Sequence, residues 1–255
     1  MSTKRILNCK TSRQTEQDWS IKAARASNII NTKNYPPSID LRNEWWDILD
    51  QGNSGACVGF ATTDVCYYDY VTKKGLDKSC RFSQRFIYMA AKETDEFTNT
   101  PTTMLEQEGT SIKAALDIAR KYGNIFACML PFNNTALYTE DSDTFFSTAA
   151  QYKISGYFNL NISIDNIKEW LSNSKPIIAC INVDSNFMEC PKDGIITNYN
   201  YATTIGCHAI VICGYKDQHI MFKNSWGTNW GSVGYCYMPY TIALNAIIET
   251  YGVAV

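Results

Sequence analysis

Apolar positions along this chain recur first at helical and later at strand-like intervals. The first 34 residues are mostly polar and allow one helix, over residues 16–26. That segment ends at "YPPSIDLR", where Pro36 and Pro37 lack an amide hydrogen and favour extended backbone. Cys57, Phe60, Ala61, Val65 and Tyr68 then fall on one helical face, and Ser54 stands where a capping side chain is expected. Ser83 predicts a second cap, for a helix turning Phe86, Met89 and Ala90 inward. A third helix opens at Thr110 or Ser111 and carries Ile112, Ala115, Leu116 and Ala119. Its last turn holds Arg120 and Lys121, and Gly123 stops it.

The later half changes period. A capped helix over residues 163–171 precedes Pro176, followed by "IIACINV", "AIVICGY", "HIMFKNS", "GYCYM" and "IIETYGVAV". These short runs read as strands, and "KDQ" between the second and third reads as a hairpin turn. Helices first and antiparallel strands afterwards predict an α+β fold, arranged as two lobes with a cleft between them.

Composition narrows the function. The chain has 255 residues, 45% hydrophobic and 19% charged, with a net charge of −2. It is large enough to bury a substantial core, and it lacks the basic stripe that nucleic acid or an anionic membrane requires. No apolar run reaches the ~20 residues needed to span a bilayer, and "MSTKRILNCKTSRQTEQDW" has no apolar core of a secretory signal. The ten cysteines include no CxxC pair and the only histidines are His208 and His219, so neither a metal nor another cofactor is expected. A free Cys57 leaves an odd number of other thiols, which favours a reducing environment.

Cys57 stands at the start of its helix, where the macrodipole and unpaired N–H groups favour thiolate. A nucleophilic thiol needs a base and a group that orients the base. His208 in "GCHAIVICGY" opens one strand, and Asn224 in "FKNSWGTNWGSVGY" ends the strand folded back beside it. A hairpin of that length returns the Asn224 amide oxygen to the His208 ring. Gln51 offers an amide that, with the Cys57 N–H, can hold an oxyanion.

With these residues the chain resembles the papain-like cysteine peptidases. "DQGNSGACVGFA" is similar to the nucleophile segment, "HAIVICGY" to the histidine segment and "KNSWGTNWGSVGY" to the asparagine segment. "PPSIDLR" resembles the start of the mature enzyme, and "EGTSIKAALDIARKYG" the non-prime side of the cleft. The resemblance covers most of residues 35–240, in order, and implies a papain-like two-lobe fold. The helical lobe is expected at about residues 45–135 and a β-barrel-like lobe at about 136–255. It implies a monomeric endopeptidase acting on peptides or proteins, with Cys57 as nucleophile, His208 as base, Asn224 as orienter and Gln51 in the oxyanion hole. It also implies substrate contacts at Gly109, Thr110, Cys180, Ala209, Trp226 and Trp230. Cys180 and Ala209 are expected to wall an apolar pocket for the side chain two before the cut, while Trp226 shields the His–Asn bond. The other cysteines read as structural or incidental.

There are departures from the family's pattern. Ser54 replaces the cysteine expected three residues before the nucleophile and residues 106–110 offer no partner, so the usual bridge is absent. Val58 replaces an aromatic residue, Thr110 a glycine, and Cys207 an acid or Asn. Residues 1–34 stand where a longer helical propeptide is usual, as in bacterial-type relatives, and are expected to act as a short propeptide or strap. Two alternative functions use the same fold: a catalytically silent binding protein, or an acyl transferase sharing every catalytic residue.

Overall fold

The computed structural model describes residues 5–31, 35–94, 109–133 and 141–255. In chain order the elements are α1 (Ile21–Ala26), β1 (Ile39–Asp40), α2 (Cys57–Lys74), α3 (Gln84–Thr94), α4 (Ile112–Lys121), α5 (Ser142–Ala150) and β2 (Gly156–Asn159). There follow α6 (Ile164–Leu171), β3 (Ile177–Val183), α7 (Ser185–Met188), β4 (Gly206–Lys216), β5 (His219–Lys223), β6 (Tyr235–Pro239), α8 (Tyr240–Ala246) and β7 (Ile247–Ala254). The expected α+β order is therefore observed. Helices α2–α4 form one part, and an antiparallel sheet in the order β2-β7-β3-β4-β5-β6, with β1 against β4, forms the other. The sheet is open rather than closed into a barrel. Among the described residues no helix is long and apolar enough to cross a membrane.

Three capping expectations hold. Ser111 Oγ accepts from the Ala114 N–H, Ser163 Oγ from the Asn166 N–H, and Ser83 Oγ from the Phe86 N–H. "KDQ" forms the hairpin, with Asp217 and Gln218 both left-handed at φ 48° and 62° and Lys216 paired to His219. That twist suits a two-residue turn between strands.

Other expectations are corrected. The helix over residues 16–26 divides into a 3₁₀ turn at Thr15–Gln17 and α1, because Asp18 is extended. Its carboxylate is taken by the Tyr251 hydroxyl and by Lys113, and the Trp19 carbonyl accepts the Asn159 N–H. These tertiary bonds outweigh local helix preference. Ser54 does not cap α2: its hydroxyl donates to the Gln51 carbonyl, and the helix opens at Cys57 with no side-chain cap. On α3, Phe86, Ile87, Tyr88 and Ala91 are buried, while Met89 and Ala90 are half-buried. Gly59 sets that face, since a Cβ there would lie 2.8 Å from the Cβ of Tyr88 and as close to the Gln84 carbonyl.

Helix α2 is buried along almost its whole length to Tyr70 and packs on β4. Two buried ion pairs pin it to the sheet. Asp64 meets Lys223 at the end of β5, and Asp69 meets Lys175, just before β3, at 2.9 Å. The Trp46 indole N–H also donates to Asp64, at 2.9 Å. Removing one partner leaves a buried charge without its counterion, so Lys223→Ala is expected to cost about 3–5 kcal/mol in equilibrium urea unfolding. A loss below about 1 kcal/mol would show that solvent reaches Asp64.

Candidate active site

Because no side chain caps α2, the thiol of its first residue sits at a helix end whose N–H groups are not consumed by a cap. Strand β4 brings His208 to that end, and the chain leaving β5 brings Asn224. The His208 Nε2–H donates to Asn224 Oδ1 at 2.7 Å. Asn224 Oδ1 also accepts the Ser225 backbone N–H at 2.8 Å, which identifies it as the oxygen of the amide. The proton is therefore on Nε2 in the neutral ring, and Nδ1, which makes no conventional hydrogen bond, is left for the Cys57 thiol against which His208 lies. Trp226 covers the ring with centroids 4.6 Å apart, and Phe187 and Trp230 pack behind it. Cys57 and His208 are both fully buried.

Cys57 is held well below its ordinary thiol range. The Cys9 thiol donates to it, the His208 ring bonds it and adds charge, and the Ala209 N–H points at it, together outweighing burial. Gln51 is locked beside this pair. Its Nε2 donates to the Ser54 carbonyl at 2.9 Å, and its Oε1 accepts from the Ser225 hydroxyl at 2.7 Å. One Nε2 hydrogen remains, and the amide cannot rotate without breaking both bonds.

The remaining expected residues line one slot, and it is filled. Arg5 Nη1 donates to Asp50 at 2.7 Å and Nη2 to the Trp226 carbonyl at 3.0 Å, and its guanidinium lies over the Trp226 ring. The Cys9 N–H donates to the Cys207 carbonyl and the Lys10 N–H to the Thr110 carbonyl. Asn8 passes so close to Gly55 and Gly109 that a Cβ on either would collide with it, and Leu7 does the same at Gly206. The free Cys9 thiol lies within hydrogen-bonding reach of both Cys57 and Cys180. Gly109, Thr110 and Cys180 are thus gathered around residues 7–10. Ala209 pairs with Cys180 and turns its N–H to Cys57, and Trp226 lies under Arg5 with Trp230 packed against it. Glu108, from the same expected segment, lies outside the described residues.

Sequence reasoning missed Cys9, which reads as an ordinary thiol in a polar stretch, and Glu249. The pocket expected to be apolar carries this carboxyl: Glu249 is the cross-strand neighbour of Cys180 on β7. Cys9 and Cys207, expected to be structural or incidental, instead join Cys180 in the cluster around Cys57. All ten cysteines are free. His219 sits on the hairpin, its Nδ1 bonded to the Asp217 carbonyl.

A thiol at a helix tip beside an imidazole held by a side-chain amide, between helices and an antiparallel sheet, defines a cysteine–histidine nucleophile class of site. The chain belongs to the papain family of cysteine proteases, whose profile matches residues 35–254. It is 25% identical over 230 residues to a cathepsin L-like proteinase of Fasciola hepatica, covering 84% of this chain and 66% of that protein. It is 26% identical over 215 residues to the cathepsin B-like CP1 of Giardia intestinalis, covering 78% and 67%. The matches span about two-thirds of the length of these relatives. In fold it is similar to xylellain, a cysteine protease from Xylella fastidiosa, with a TM-score of 0.82 at 22% identity over 100% of this chain and 98% of that one.

Burial raises the Glu249 carboxyl from 4.5 to about 8, with Cys180 adding to it. A raised acid favours the fold while protonated, so its contribution is full below 4.5 and is lost as pH rises through about 8. In chelator-treated protein, Glu249→Gln is therefore expected to melt increasingly above wild type across that window. Parallel melting curves of the two proteins would show that the carboxyl is not perturbed.

Proposed function

We propose that this chain is a cysteine peptidase that hydrolyses peptide bonds through a Cys57 thiolate and a His208 imidazolium. The observation that carries the reading is the hydrogen bond from His208 Nε2 to Asn224 Oδ1, which leaves Nδ1 free for the Cys57 thiol beside the ring. In this scheme Asn224 fixes the tautomer and the plane of the ring. The thiolate attacks the peptide carbonyl carbon, and the developing oxyanion takes hydrogen bonds from the free Gln51 Nε2–H and the Cys57 N–H. His208 gives its Nδ1 proton to the departing amine, leaving a thioester. Water enters, Nδ1 removes its proton, and collapse of the second tetrahedral intermediate releases the acid and restores the thiolate. Peptides or proteins are the substrates, bound by their main chain between Gly109–Thr110 and Cys207.

Residues 1–34 form a strap on a peptidase domain of residues 35–255, with a helical lobe over about 45–135 and a β lobe over about 136–255. Support comes from the seating of Arg5–Lys10 in the slot and from the complete burial of Cys57 beneath it. A substrate competes with those residues for the same carbonyls. Residues 21–30 lie deeper, with Ile21, Ala24 and Ile30 in the core, so they act as an anchor.

Cys57→Ala is expected to lower kcat by a factor on the order of 10⁴ or more and to abolish labelling by a peptidyl epoxide. Labelling that persists would assign the chemistry to another thiol. Gln51→Ala is expected to lower kcat about 10²–10³-fold with KM little changed. Removing residues 1–12 alone, which spares the anchor, is expected to raise turnover of a fluorogenic peptide. Unchanged turnover would end the strap reading.

A further inference from the structure

We propose that Cys9, Cys180 and Glu249 form a binding site for a thiophilic divalent cation of the Zn²⁺ class, complete only while the N-terminal segment lies in the slot. The inference rests on the strap reading, because that segment carries one of the three ligands. The two Sγ atoms and a Glu249 carboxylate oxygen all lie within 4.8 Å of one another. The three side chains are 5%, 0% and 7% exposed. Cys180 and Glu249 are partners on adjacent strands, so sheet register fixes two ligands side by side before the third arrives.

The second observation is an unfilled requirement. Glu249 takes its donors from Ser12, whose N–H reaches Oε1 at a long 3.4 Å, and Oε2 has no hydrogen-bond partner. The charged groups acting on this carboxyl, Cys180 and Asp18, are anionic when ionised. A buried carboxylate so placed has one oxygen without a donor and no counter-charge, and a cation supplies the charge directly.

Two thiolates with one carboxylate select Zn²⁺ over Mg²⁺ or Ca²⁺, which prefer all-oxygen shells. Zn²⁺ holds sulfur at about 2.3 Å and carboxylate oxygen at about 2.0–2.2 Å, so ligand atoms on one ion stand roughly 3.5–3.8 Å apart. Side-chain rotation and slight settling of the strap bring the three into that range. The fourth position is filled by water or by Cys57, the thiol in contact with Cys9. Binding releases thiol protons to solvent and, by mass action, holds the strap in the slot.

The test uses full-length Cys57→Ala protein, kept reduced by a phosphine and titrated with Co²⁺ as a spectroscopic stand-in. This background cannot turn over peptides, so the result is independent of whether the chain is a peptidase. One equivalent of Co²⁺ is expected to develop the visible band of tetrahedral thiolate coordination, and Zn²⁺ is expected to bleach it. Cys9→Ser and Glu249→Gln, each added to that background, are expected to weaken binding at least tenfold, whereas Cys128→Ser, at an exposed thiol, leaves it unchanged. Cys9 lies on the strap and outside the sheet, so its variant keeps the test decisive if the Glu249 variant folds poorly. Absence of the band, or a band equally strong in the Cys9→Ser protein, overturns the proposal.

Discussion

The ion pair between Asp64 and Lys223 is the constraint on which the geometry of the site depends. Asp64 lies two helical turns after Cys57 on α2, on the same face, and Lys223 immediately precedes Asn224. One buried contact therefore ties the helix that begins at Cys57 to the strand that delivers Asn224. Apolar packing alone would hold α2 against β4 as firmly, but it has no direction, and a one-residue slip turns a helix by about 100°. A charge pair with the Trp46 indole on the same carboxylate, and Lys223 over the Trp46 ring at 4.8 Å, tolerates no such slip. Asp69 and Lys175 repeat the device further along α2. Two pins on one helix stop both rotation and sliding, which is specificity more than stability.

With α2 fixed, the slot between it and β4 is defined by main chain. Gly55, Gly109 and Gly206 present backbone where a Cβ would block the passage. What lies there is accordingly held by its own main chain, through the carbonyls of Thr110 and Cys207. Such a surface reads almost nothing of side-chain identity except at the pocket where the Cys9 side chain enters. A tethered segment has a high effective concentration in this slot, so it needs few strong contacts to stay seated. The Arg5 fork onto Asp50 and the Trp226 carbonyl supplies one at the far end.

Much of this was legible in the sequence, for identifiable reasons. His208 and Asn224 could be placed together because they flank a hairpin whose turn is set locally by Asp217 and Gln218, and Cys57 joined them through the resemblance of its segment. The helices over residues 112–121 and 164–171 carried their caps in plain view. The failures share one cause, competition from distant partners. Ser54 has the right side chain for a cap, yet the Gln51 carbonyl takes its hydroxyl. Asp18 sits in a helix-prone run, yet Tyr251 and Lys113 pull it extended. Cys9 owes its burial to strands two hundred residues away. Glu249, in "IIETYGV", reads as the solvent side of a strand until the pairing of β3 with β7 covers it. Helices α7 and α8 and strand β2 are short and were not distinguishable from the loops around them, while α5, capped by Asp141, buries only Phe145 and Ala149 and so lacks a continuous apolar face.

The even cysteine count illustrates the same limit from the chemical side. Counting permits bridges and, with Cys57 free, favours reduced thiols, but it does not reveal that Cys9, Cys57, Cys180 and Cys207 converge as free thiols from four separate stretches of chain. Their convergence puts the most perturbed acid of the pocket, Glu249, against sulfur instead of a basic residue. A carboxyl there has two ways to avoid an isolated buried charge: hold a proton or share a cation. The first is satisfied by the fold alone and weakens as pH rises; the second needs Cys9 in place. The electrostatic state of the pocket beneath residues 7–10 and the position of those residues thus depend on each other.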